Sequence, residues 1–61
     1  MLLIKLQKII LPEQKIYLFP ENDFENGLTF LWSEIPLHYF ELDIFVRSIY
    51  TCGDILMIGF E

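Results

Sequence analysis

The sequence predicts a mainly β protein, a small antiparallel sheet or partly open barrel of about five strands, in one domain over residues 1–61. Two observations carry that expectation. Apolar and polar residues alternate over short runs rich in β-branched and aromatic side chains, and prolines, glycines and Asn/Asp clusters punctuate those runs. The competing architecture is α+β, with a helix over 35–51 packed on a four-stranded sheet.

The first run, LLIKLQKIIL (2–11), sets Leu2, Ile4, Leu6 and Ile10 on one face and Lys5 and Gln7 on the other. It reads as a strand stopped by Pro12. IYLF (16–19) is a second strand ended by Pro20, expected to pair with the first as a hairpin whose connection holds Pro12, where a missing N–H removes no ladder bond. PENDFENG (20–27) follows as a turn: Asn26-Gly27 tolerates positive φ, and Asn22 and Asp23 can bond their own backbone. LTFLWS (28–33) alternates Leu28, Phe30 and Trp32 against Thr29, Leu31 and Ser33, giving a third strand.

Residues 35–51, IPLHYFELDIFVRSIYT, carry two conflicting patterns. Helix signals are a cap at Ser33, Pro36 in the first turn, an Asp43–Arg47 pair at i,i+4 and a stop at Gly53. A helical wheel, however, leaves Leu37, Phe40 and Ile44 on the polar side. As a strand, Phe40, Leu42, Ile44 and Val46 share one face and Glu41, Asp43 and Arg47 the other, so a strand over about 38–51 is expected. A tight turn at Cys52-Gly53 or Gly53-Asp54 then returns the chain as ILMIGF (55–60). A loop at 52 and 53 would set Tyr50 against Ile55, Ile49 against Leu56 and Phe45 against Phe60.

Composition bounds what such a sheet can do. Hydrophobic residues make up 54% and aromatics 16% of the chain, and alanine is absent, so the apolar content is nearly all large side chains. A chain of 61 residues has one small core and gains stability from a disulfide, a metal or a partner. A single cysteine (Cys52) and a single histidine (His38) exclude an internal disulfide and a Cys/His zinc cage. Excess apolar surface therefore points to a protein partner or a homo-oligomer.

The longest unbroken apolar runs are four residues, against the roughly 18 of a membrane span, and MLLIKLQKIILPEQ makes a poor signal peptide. A cytoplasmic location without membrane partners is expected, and a lone thiol suits it. The formal charge is −5, with nine acids against four basic residues. Direct nucleic-acid binding is thus disfavoured and a basic protein surface is the expected charged partner.

Chemical sites fare poorly. Glu21, Asp23 and Glu25 superficially match a calcium-binding loop, but the glycine falls at the seventh position of that count and Trp32 occupies the twelfth, where a bidentate Glu is needed. Cys52 lacks a nearby base, since a strand over 38–51 holds His38 at its far end. Glu41 and Asp43 share a strand face, as any solvent-facing alternation gives, with Arg47 balancing their charge. Trp32 and Tyr17 read as core or interface aromatics. No phosphate loop, nucleophile set or nucleotide fingerprint is present, so no cofactor and no enzymatic activity is expected.

Phe24, isolated among acids, reads either as a cap folded onto the sheet or as a binding anchor. The expected function is a non-enzymatic protein-binding module docking through Glu21, Asp23, Phe24, Glu25, Glu34, Glu41 and Asp43 together with exposed apolar surface. The alternatives are an inhibitor that mimics nucleic acid and a structural subunit of a homo-oligomer.

Overall fold

The structure, a computed structural model, describes residues Met1–Glu61. Four strands form one open mixed sheet: β1 (Lys15–Pro20), β2 (Leu28–Leu31), β3 (Val46–Cys52) and β4 (Ile55–Phe60), in the order β2-β1-β4-β3. β1 pairs antiparallel with β2, and β3 antiparallel with β4; the central β1–β4 pairing is parallel. The mainly β fold read from the sequence is therefore present, with four strands in place of five and no barrel closure.

The missing fifth strand is the N-terminal run. Residues Leu3–Leu6 form a 3-10 helical turn, and Leu3 and Leu6, not Ile4, are buried. Seven of the ten residues of LLIKLQKIIL are apolar, so spacings of two and three both find a greasy face, and packing chooses between them. The hairpin expected between 2–11 and 16–19 is absent. β1 instead takes its antiparallel partner from β2, with Ile16 opposite Phe30 and Leu18 opposite Leu28.

Residues 35–51 form neither the long helix nor the long strand. One helical turn, α1 (His38–Glu41), ends at Leu42, and β3 begins only at Val46. Between them Ile44 N–H bonds Leu42 O at 2.8 Å, and Leu2 bridges Phe45 antiparallel, so Met1–Leu3 adds a short rung outside the start of β3. Leu37 and Leu42 remain exposed.

The β3–β4 turn is Gly53-Asp54. Gly53 alone has positive φ, +62°, the pattern of a type II′ hairpin turn. Cys52 therefore faces Ile55, Tyr50 faces Met57 and Ile49 faces Ile58, two residues away from the register drawn with a loop at 52 and 53, and a bulge between Val46 and Ser48 then sets Val46 against Phe60, one residue from the Phe45–Phe60 pair expected. Gly27, by contrast, is extended (φ −78°, ψ 166°) and supplies no left-handed turn.

One face of the sheet carries Ile16, Leu18, Val46 and Ile58. Leu3, Leu6, Trp32, Ile35 and Ile44 cover it, with Tyr39 and Phe40 of α1 packed alongside. Trp32 meets Phe40 edge-on at 5.5 Å. The accessible surface is 4288 Å², close to the roughly 4,200 Å² that mass scaling gives for a folded monomer. The surface is thus that of an ordinary folded monomer of this mass, and many large apolar side chains remain on it.

Candidate functional site

Part of the exposed apolar surface lies on the second face of the sheet, where Phe24 and Tyr50 are each about half exposed. Strand alternation and the β1–β4–β3 register place Tyr17, Phe19, Met57, Ile55, Tyr50 and Cys52 there, away from the covered core. An open groove of about 270 Å³ runs between Tyr17, Phe24, Thr29, Cys52, Ile55 and Met57. Tyr50 is 48% exposed beside it.

PENDFENG closes one end of this face. Phe24 sits in a 3-10 turn, Phe24–Asn26, and packs on Phe19 at 4.9 Å and on Tyr17 at 5.2 Å between ring centroids. It is both cap and exposed side chain, since 49% of its surface stays open. The Tyr17 hydroxyl donates to the Phe24 carbonyl and accepts the Gly27 N–H at 3.2 Å. Gly27 has to be glycine for space: a Cβ there would lie 2.7 Å from Phe19 Cβ and from Tyr17 Oη, and closer still to Tyr17 Cζ. Glu21 is tied across the sheet, its carboxylate accepting from Ser48 Oγ at 2.8 Å, and Asn26 Nδ2 donates to the Asp23 carboxylate. Two of the three acids, Glu21 and Asp23, are thereby held on a short loop beside an apolar groove, with Glu25 exposed between them and Gly27.

The other expected site residues lie elsewhere. Glu34 belongs to the 3-10 turn Trp32–Glu34, Glu41 ends α1 and Asp43 follows it; all three are exposed on the segment that covers the opposite face. Arg47 pairs with neither Glu41 nor Asp43. Its guanidinium approaches the Glu61 carboxylate at 3.7 Å instead. Cys52 is exposed on the groove face, whereas His38 rides on α1 over the covered face, so the sheet lies between them. Nowhere do three His, Cys, Asp or Glu side chains gather as a metal site.

A second cleft, about 310 Å³, opens between the N-terminal segment and residues 32–40. Its only side-chain polar groups besides the Trp32 indole are Gln7 and Ser33, which offer no titratable group for catalysis. Sequence reasoning missed the β4 contribution to the groove, Met57 and Ile55, and the exposed Tyr50 of β3 beside it. The alternation of ILMIGF held that signal, but which of its faces is covered depends on the distant N-terminal segment.

Comparison with protein-family models, with curated proteins and with solved structures returns no match. No helix is long and apolar enough to cross a membrane.

Proposed function

We propose that this chain is a non-enzymatic protein-binding module that docks its open sheet face on a partner presenting an apolar side chain ringed by basic groups. The observation that carries the reading is the pairing of an uncovered apolar groove with Glu21, Asp23 and Glu25 on the loop at its edge. Apolar contact at Phe24, Tyr17 and Tyr50 supplies affinity, and the carboxylates orient the partner and speed encounter. The cytoplasm is the proposed location, on the strength of the unpaired thiol.

A nucleic-acid mimic draws less support. Such a mimic needs carboxylates spread at phosphate-like spacing over one surface, whereas Glu34, Glu41 and Asp43 project from the far side of the sheet.

Affinity capture from source-cell lysate tests the reading, with wild type and a Phe24→Ser, Glu25→Lys double variant as baits. A protein held by wild type, lost by the variant and still retained at physiological ionic strength supports docking. Release over orders of magnitude in affinity between low and physiological salt, with competition by duplex DNA, would favour the mimic. Identical proteins on both baits would sink the loop as binding element.

A further inference from the structure

Of the sheet's two edges, β2 is the shorter, with four residues, and the seven-residue β3 is covered by the chain only in part. At the start of β3 the N-terminal residues act as an extra rung: Val46 N–H donates to Met1 O at 2.6 Å and Leu3 N–H to Ile44 O at 2.9 Å. From Arg47 to Cys52 no backbone group bonds outward. Because Cys52 and Ile55 flank a two-residue turn, Cys52, Tyr50 and Ser48 direct their N–H and C=O at β4, while Ile49 and Thr51 direct theirs away from the sheet. The free edge is guarded only at its start, by the exposed Arg47 at the bulge between Val46 and Ser48. It has no proline and no lysine, and Ile49 and Tyr50 are each 48% exposed.

We propose that this edge is a homodimer interface in which β3 pairs antiparallel with β3 of a second copy about a two-fold axis at Tyr50, giving one continuous eight-stranded sheet. The register follows from the N-terminal rung. A two-fold at Ile49 would set Cys52 against Val46, whose outward N–H is already bonded to Met1. A two-fold at Tyr50 uses the whole free edge and stops short of that rung. Ile49 then exchanges both backbone hydrogen bonds with Thr51 of the second copy, Tyr50 faces Tyr50, and Ser48 faces Cys52.

Side chains and charge favour a second copy as occupant. In this register no like charges oppose one another, and Arg47 falls opposite Gly53, beside Asp54 of the other copy. Tyr50 pairs with Met57, which pairs with Tyr17, so its ring lies on the open face. Contact between the two Tyr50 rings joins the two grooves into one apolar surface. The dimer leaves the proposed docking face open and stands or falls independently of that reading.

Sedimentation velocity on the purified chain, from micromolar to millimolar concentration, reads the assembly directly. Wild type is expected to form dimers. Thr51→Pro removes only an outward N–H and should weaken the dimer by at least about 30-fold, two donors being lost per dimer, while the monomer's circular dichroism stays β-like. Ser48→Cys reports the register without a proline: under a glutathione redox buffer the introduced thiol should link to Cys52 of the other copy, since facing residues of a non-hydrogen-bonded pair lie within disulfide reach. A wild type that stays monomeric throughout, a Thr51→Pro chain that dimerises as well as wild type, or cross-links joining only Cys52 to Cys52 would each overturn the proposal.

Discussion

At the scale of single residues, the site depends on room made by glycine and on one hydroxyl. Gly27 is extended, so replacing it with alanine introduces no backbone strain; the whole effect comes from the Cβ meeting Tyr17 and Phe19. Gly27→Ala is expected to cost about 1–3 kcal/mol by overpacking, read from urea midpoints, and to free Phe24 from the sheet. Tyr17→Phe keeps the ring but removes the link between the Phe24 carbonyl and the Gly27 N–H. A loss of about 0.5–1.5 kcal/mol is expected, with faster hydrogen exchange at the Gly27 amide. From the sequence Gly27 reads only as turn chemistry and Tyr17 only as a core or interface aromatic. The Tyr17 bond spans seven to ten residues and exists because β1 carries its ring under the loop.

At the scale of elements, the N-terminal run distinguishes the two periodicities. Strand alternation turns Ile4 inward, whereas the 3-10 turn buries Leu3 at 1% exposure and leaves Ile4 44% exposed. Leu3→Ala should therefore lower stability by about 2–5 kcal/mol, and Ile4→Ala by less than about 1 kcal/mol, in thermal or urea unfolding. The reverse order would restore the N-terminal strand. β4 was legible in full, and β1 and β2 nearly so, because proline, glycine and alternation agree there. Residues 35–51 were not, since their helix caps and their strand alternation oppose each other. α1 keeps one turn of the first pattern and β3 keeps the end of the second.

At the scale of the molecule, one apolar cluster joins segments from both ends of the chain, with Leu3 and Ile58 packed in it. The only tryptophan, Trp32, is 7% exposed within that cluster, so its emission should shift to the red on unfolding. The shift should coincide with loss of the far-ultraviolet β signal, as all-or-none unfolding of one core requires. Charge acts over the whole surface as well. Nine acids face four basic residues, and the two ion pairs, Lys15–Asp54 and Arg47–Glu61, are exposed and contribute little. Raising ionic strength from low to physiological should screen the net repulsion and raise the unfolding midpoint.

The amino-acid sequence alone determined the class of fold, the ends of its best-marked strands, the acidic loop around Phe24 and the surplus of apolar surface. Each of these follows from local spacing and composition. Only the tertiary structure decided which face of the sheet is covered, which run of apolar residues gives up its strand to cover it, and that β1 and β4 lie side by side and parallel. Those outcomes rest on contacts between distant segments. Leu3 and Leu6 pack in one cluster with Ile16 and Ile58 while β2 and β4 take both sides of β1, and no periodicity within LLIKLQKIIL records that arrangement.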